Sequence, residues 1–428
     1  MRTLIKDLTI GKKQQIAGFV ETVRDQKNIA FIILRDISGA IQLTVKKAEG
    51  SALTKAIEGL SPHFVIKAEG ELKENPAVKL GGVEFMPANI EVLSVAETPP
   101  IDEKSSIDQR LDYRWIDLRA PEKSIIFKAQ TVLVDAMRRY LIDMGFTEMH
   151  SPKIISEPSE SGADLFVVDY FGEKAYLAQS PQFYKQMGIA SGLEKYFELA
   201  PVFRAEKSFT NKHATEFTGF DVEFAYIDSF HDVMKLEEKM LVEGIKAVSQ
   251  KYGKEIKELL GIELNVPKTP FECITLGDAT KILKKRGCDI EQGDDLNTEA
   301  EKMLGEYMKE QGHDFYFVTD YPADIRAFYH MRDPKDPKKA LGYDLYYKGM
   351  EITTGAQREH RYDILTKQAL GAGLSQQKIQ FYLDFFRYGC PPHGGFGLGV
   401  DRITLLLLGI PTIKEAQYIF RGPTRLKP

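Results

Sequence analysis

Two hydrophobic periods share this chain, and they change over at Pro99-Pro100. From Gln14 to about Ala96 apolar residues alternate with polar ones, in runs such as Ile16 to Val20, Ala30 to Leu34 and Ile41 to Val45. That period of two is the mark of strands with one buried face. Beyond the prolines, Ile126, Ala129, Leu133, Met137, Tyr140 and Met144 recur at three- and four-residue steps, describing an amphipathic helix that stops at Gly145. Consecutive prolines continue neither sheet nor helix, and 428 residues exceed one ordinary core, so two or three domains are expected.

In the first body the turn Asp36 to Gly39 separates strands, and a short helical stretch near Ser51 to Leu60 precedes two more strands, near His63 to Glu71 and Val83 to Val92. Three strands, a helix and two strands is the order of a five-stranded OB-fold barrel. The domains expected are a barrel over 1–97, a hinge over 98–122 and a larger domain over 123–428. In the larger one, a strand ending Met149 to Pro152 follows the first helix. Strands near 175–177, 197–202, 220–226, 315–318, 344–347 and 350–353 alternate with helices near 233–252, 299–310 and 376–388. This reads as α+β, a largely antiparallel sheet flanked by helices.

A net charge of −5 excludes a polycation, so a nucleic acid would have to meet local patches. Residues 1–97 hold 13 Lys/Arg against 12 Asp/Glu, so recognition there would rest on stacking and hydrogen bonds. Cys273, Cys288 and Cys390 lie far apart and make neither a metal pair nor an even disulfide set, which fits a reducing cytoplasm. The longest apolar run, Ile403 to Ile410, is far below the roughly 20 residues that span a bilayer, and Met1 to Lys13 has no apolar signal core. Neither a membrane partner nor export is expected.

The chemistry concentrates in a few segments. Phe203-Arg204-Ala205-Glu206 is followed by Lys212-His213-Ala214 and Phe217, and far downstream stands Gly397-Leu398-Gly399-Val400-Asp401-Arg402. No G-x-x-x-x-G-K-[ST] segment occurs, so a triphosphate would have to be gripped by side-chain cations. Singly, the first reads more readily as a strand end with a surface arginine and the second as a turn opening a core helix. Asp344 and Glu351 flank a turn at Lys348-Gly349, where two carboxylates can converge on one hard cation, with Thr354 and Arg358 just beyond. Lys185, in Gln182-Phe183-Tyr184-Lys185, is a second cation that either points to solvent or joins Arg358 in one pocket. A pocket holding both would suit a side-chain carboxylate, because an amide would leave two buried cations unpaired. Glu160 and Gln182 are candidates for meeting a substrate ammonium.

Together, in this order and spacing, the segments resemble motifs 2 and 3 of the class II aminoacyl-tRNA synthetases. From about residue 14 to 428 the chain is similar to the aspartyl-tRNA synthetases of the archaeal and eukaryotic type, class IIb, with an N-terminal anticodon-binding domain. The resemblance implies an enzyme that activates L-aspartate with ATP and Mg²⁺ and transfers it to tRNA(Asp), with tRNA(Asn) open as a second acceptor. It implies a homodimer built through the helix before Gly145 and the strand ending at Pro152.

The implied roles are these. Arg204 clamps the α-phosphate and contacts aspartate, while Glu206 accepts from the adenine amino group. Lys212 and His213 lie at the γ-phosphate, Phe217 stacks on adenine, and Arg402 is the cation at the far phosphate. Ala205, Ala214, Gly399, Val400 and Asp401 complete the ATP-binding segments. Asp344, Glu351 and Thr354 hold the metal; Glu160, Gln182, Lys185, Thr354 and Arg358 hold aspartate; and Phe31, Gln42 and Glu84 read the anticodon. The chain departs from the family at Lys212, where arginine is usual, at Thr354, where serine is, and at Phe420-Arg421-Gly422-Pro423. Asp401, where glutamate is more usual, keeps an asparaginyl-tRNA synthetase as the alternative. An ammonia-dependent ligase of small molecules and an inactive RNA-binding module are the more distant readings.

Overall fold

The computed structural model describes residues 2–159 and 164–428, and the chain divides into two compact units between Ser105 and Ser106. In the first, β1 (Lys13–Asp25), β2 (Ile29–Asp36), β3 (Gly39–Lys46), β4 (Val65–Glu74) and β5 (Val83–Ser94) close a barrel in the order β1-β2-β3-β5-β4. The alternation of the sequence is the alternation of burial: Ile16, Ile32, Leu34, Leu43, Val45 and Ile66 fill the interior. A helix over Ala52–Ile57 starts at Ser51, whose hydroxyl accepts from the Thr54 amide. At Gly70 a register shift bends β4, and a Cβ there would lie 2.2 Å from the Met86 carbonyl oxygen, so the bend requires glycine.

The second unit contains β6 (Thr147–Glu148), β7 (Ile154–Ile155), β8 (Val167–Tyr170), β9 (Glu173–Leu177), β10 (Lys195–Phe203) and β11 (Glu216–Ala225). It continues with β12 (Glu272–Thr275), β13 (Phe315–Thr319), β14 (Gly342–Tyr347), β15 (Met350–Gln357) and β16 (His393–Gly399). Eight of these form one sheet in the order β12-β13-β14-β15-β16-β11-β10-β6, and β7, β9 and β8 form a small separate one. Only the outermost pairs, β12–β13 and β10–β6, are parallel. The expected α+β class with a largely antiparallel sheet is what forms. Helices Pro121–Asp143 and Phe230–Leu260 pack together where Gly244 leaves room for Leu133 and Met137. Among the described residues no helix is long and apolar enough to cross a membrane.

Several elements differ from expectation. Residues 106–122, assigned to the hinge, carry helices Ile107–Asp112 and Arg114–Asp117 within the second unit. The cause is Arg114, fully buried, which pairs with Asp117 and donates to the carbonyls of Glu415, Gln417 and Tyr418. Partners some 300 residues away leave no local signature. The strand expected to end at Pro152 stops at Glu148, because the Ser151 amide turns from the ladder to the Glu198 carboxylate at 2.9 Å. Strand β16 went unpredicted because its sequence, His-Gly-Gly-Phe-Gly-Leu-Gly, lacks β-branched residues.

One buried acid makes a testable point about stability. Glu237 accepts from the Tyr343 hydroxyl at 2.7 Å, and burial pushes its pKa up to about 8. The folded state therefore favours the neutral acid, whose contribution is complete below pH 4.5 and is lost as pH climbs towards 8. In Glu237→Gln the stability from denaturant melts, relative to the unaltered protein, should improve steadily from pH 5 to 8, by up to a few kcal/mol. A constant difference across that range would show that Glu237 is ionised throughout.

Candidate functional site

Strands β10, β11, β15 and β16 and the helix Val400–Leu407 surround a cavity of about 510 Å³. Lys185, Arg204, Glu351, Arg358 and Arg402, spread over more than two hundred positions of sequence, all line it.

At one end stand the two arginines of the glycine- and acid-flanked segments. Arg204 leaves β10 at the start of a loop whose ends are joined by its own amide, donating to the Thr215 carbonyl at 2.9 Å. Its guanidinium lies 5.5 Å above the Phe217 ring, and its Nε is buried without a hydrogen-bond partner among the described residues. Arg402, in the first turn of its helix, donates to the Glu351 carbonyl at 2.9 Å. Glu206, His213, Ala214, Phe217 and Gly399 also line the cavity. Burial and the nearby Arg402 lower the His213 pKa, so this ring is neutral at pH 7.

Several expected contacts are drawn elsewhere. Lys212 lines the cavity but pairs with Glu301 on helix Thr298–Glu310, an acid that nothing local in the sequence singles out. Val400 packs into the core, and the Ala205 amide donates to the Asp164 carbonyl. The Asp401 carboxylate accepts from Gln417 at 2.8 Å and from the Thr218 amide at 3.3 Å. Glu160 lies outside the described residues.

Glu351 and Thr354 are three apart and would face opposite sides of a regular strand. A bulge at Ile352, where Leu345 pairs with Thr353 but Tyr346 with Glu351, turns both into the cavity, the Thr354 hydroxyl donating to Glu351 at 3.3 Å. Burial raises the pKa of Glu351, but Arg402, Arg326, Arg204 and Lys212 outweigh it and hold the carboxyl below its ordinary value, hence ionised. Asp344, opposite Thr354 in the ladder, is buried behind the lining, its two oxygens chelated by Arg326, with Nη1 to Oδ1 at 3.1 Å. Arg326, which lines the cavity, went unrecognised because a lone loop arginine has no pattern. A guanidinium on Asp344 is a stand-in cation, and an ionised Glu351 with a neighbouring hydroxyl is a hard oxygen set. These residues fit a divalent ion completed by phosphate oxygens.

At the other end, β11 points Asp221 and Glu223 inward. Lys185, 1 % exposed on helix Gln182–Ala190, lies 3.0 Å from Asp221 and 3.3 Å from Glu223. Arg358, 2 % exposed at the end of β15, reaches Glu223 at 2.9 and 3.3 Å. Burial pushes Glu223 up, yet Arg358 and Lys185 carry it below its ordinary value, whereas burial wins at Asp221 and raises it. The two cations are therefore already balanced, which overturns the expectation that a neutral amide would leave them unpaired. The alternation Asp221-Val222-Glu223 was the available signal, two acids on one face of a central strand. It also bears on two glycines of β16: a Cβ at Gly395 would sit 2.1 Å from the Val222 carbonyl oxygen and 2.3 Å from a Glu223 carboxylate oxygen, and one at Gly397 3.2 Å from an Asp221 oxygen.

On the barrel, Phe31 pairs across the ladder with Thr44, and Gln42 lies two residues along the same face. Gln42 donates to the Thr44 hydroxyl at 3.2 Å, and that hydroxyl donates to Glu84. Thr44, not foreseen, gathers the three expected readers into one outward patch.

Residues 106–420 match the family described as tRNA synthetases class II (D, K and N), and residues 14–93 match an OB-fold nucleic acid binding domain family. The chain is 43% identical to the aspartate–tRNA(Asp) ligase of Pyrococcus abyssi, over 98% of this chain and 97% of that one. It is 42% identical to the aspartate–tRNA(Asp/Asn) ligase of Methanopyrus kandleri, over 98% and 96%. Among solved structures it is similar to asparaginyl-tRNA synthetase from Pyrococcus horikoshii complexed with asparaginyl-adenylate, with TM-score 0.93, 34% identity and full coverage of both chains. It is also similar to aspartyl tRNA synthetase from Entamoeba histolytica, with TM-score 0.88 and 31% identity over 100% of this chain and 93% of that one.

Proposed function

The chain belongs to the class II tRNA synthetases of the D, K and N group, and on that premise we propose that it is an aspartate–tRNA ligase. It activates L-aspartate with ATP to aspartyl-adenylate and passes the aspartyl group to the 3′ end of tRNA(Asp). The reading is carried by one observation, the convergence of Lys185, Arg204, Glu351, Arg358 and Arg402 on a single cavity.

Aspartate's α-carboxylate is already a nucleophile, which suits a site without a Ser/His/Asp or Cys/His arrangement. It attacks the α-phosphorus in line; a carboxylate oxygen–phosphorus bond forms as the phosphorus–oxygen bond to pyrophosphate breaks. Arg204 compensates the charge on the α-phosphate, Arg402 that on the far phosphates, and Phe217 offers adenine its face. Glu351 and Thr354, with Asp344, where the Arg326 guanidinium now stands as the cation, would hold Mg²⁺, which would neutralise charge on the leaving pyrophosphate. Lys185 and Arg358 receive the side-chain carboxylate, and Gln182 the ammonium. The tRNA 3′-hydroxyl then attacks the mixed anhydride and releases AMP. The barrel patch of Phe31, Gln42 and Glu84 stacks and reads anticodon bases. The enzyme works in the cytoplasm as a homodimer.

A second reading, asparagine as substrate, is favoured by the internal pairing of Lys185 and Arg358. Charging purified tRNA(Asp) and tRNA(Asn) with each labelled amino acid separates the cases. Aspartylation of tRNA(Asp), with or without tRNA(Asn), is expected; asparaginylation of tRNA(Asn) alone would overturn the proposal.

A further inference from the structure

Behind Gln182 runs a chain of buried polar groups that the reaction above does not use. His393, fully buried at the start of β16, places Nδ1 2.8 Å from the Pro391 carbonyl oxygen, an atom that can only accept. Nδ1 therefore carries the proton. Burial keeps the ring neutral, its pKa pushed down to about 4, so Nε2 is a bare acceptor. The group facing it at 2.9 Å is the Gln186 amide, which must turn its NH₂ to the ring. The Gln186 carbonyl then takes two donors, the Tyr382 hydroxyl and the Gln182 NH₂, each at 2.9 Å. With its nitrogen so engaged, Gln182, which lines the cavity, has an amide oxygen that makes no hydrogen bond among the described residues.

We infer that His393 and Gln186 are positioning residues, fixing the Gln182 amide so that its oxygen, and not its NH₂, faces the bound substrate. Each link follows from the one before, starting at a backbone carbonyl whose role cannot change. An amide side chain alone has two faces of nearly equal shape and opposite polarity. Held this way round, position 182 is an acceptor suited to a substrate ammonium; reversed, it would present a donor to a cation. The inference rests on the proposed aspartate site and deepens it, assigning ammonium recognition to a pair of residues that never touch the substrate.

The test compares aspartate with succinate, which lacks only the ammonium, by measuring the aspartate KM and the succinate Ki in ATP–pyrophosphate exchange. In Gln186→Leu the aspartate KM should rise about tenfold or more while the succinate Ki stays within about threefold, because only a contact to the ammonium is lost. In Gln186→Glu the carboxylate still accepts from Gln182, so the preference for aspartate over succinate should persist. Equal weakening of both ligands in Gln186→Leu, or no change in either, would overturn the inference. Should that variant not fold, His393→Leu decides: with Nε2 gone the Gln186 amide is free to turn, so a tenfold loss of the aspartate preference supports the inference and its retention overturns it. If the unaltered protein shows no aspartate-dependent exchange at all, the aspartate reading itself falls, an outcome distinct from the others.

Discussion

Replacing Arg358 with alanine is expected to abolish aspartate-dependent pyrophosphate exchange and, at the same time, to weaken the fold. The two losses have different origins. Glu223 is fully buried, and Arg358 supplies two hydrogen bonds and the nearest positive charge to it. Removing one partner of a buried ion pair leaves an uncompensated charge, a loss of about 3–5 kcal/mol, partly relieved here by Lys185 at 3.3 Å. Exchange should fall on the order of 10³-fold, since the side-chain carboxylate of the substrate loses its fork of donors. The double variant Arg358→Ala/Glu223→Gln separates the effects: denaturant melts should recover most of the lost stability while exchange stays absent. Recovery of exchange together with stability would reduce Arg358 to a structural counter-ion.

Arg204→Ala is expected to show the opposite pattern. This side chain is 39% exposed, its nearest carboxylate among the described residues is Glu206 at 3.9 Å, and Glu351, which feels its charge, keeps Arg402, Arg326 and Lys212 without it. Stability should stay within about 0.5 kcal/mol of the unaltered protein. Exchange should nevertheless drop on the order of 10³-fold, because the α-phosphate loses charge compensation in a partly desolvated site. Arg204→Lys should restore only part of the rate, because an ammonium cannot reproduce the planar fork. A rate within tenfold of normal in Arg204→Ala would remove this residue from the reaction.

What could be read from sequence, and what could not, follows the range of the forces involved. The barrel was legible because period-two burial is local: Ile16, Ile32 and Leu43 announce the face they occupy. The two arginine segments were legible because their flanking residues set up a strand end and a helix start, the elements that carry Arg204 and Arg402 into one cavity. Charge partners were not legible. Arg326 on Asp344, Glu301 on Lys212, and Asp221 with Glu223 between Lys185 and Arg358 are fixed only by tertiary approach. The discrimination between aspartate and asparagine cannot rest on unpaired cations when the pocket is already neutralised. Of the two acids, Asp221 is the one whose pKa burial raises, whereas Glu223 is held below its ordinary value by Arg358 and Lys185. Gly395 and Gly397 were visible from the start, yet their closeness to Glu223 and Asp221 is set by the neighbouring strand.

The account stands on both substrates meeting in one cavity, and a crystal structure with a non-hydrolysable aspartyl-adenylate analogue tests this most directly. The side-chain carboxylate is expected against Lys185 and Arg358, the ammonium at the Gln182 oxygen, the phosphate at Arg204 and the adenine on Phe217. An analogue bound with its carboxylate away from Arg358, or its adenine outside the cavity, would contradict the account.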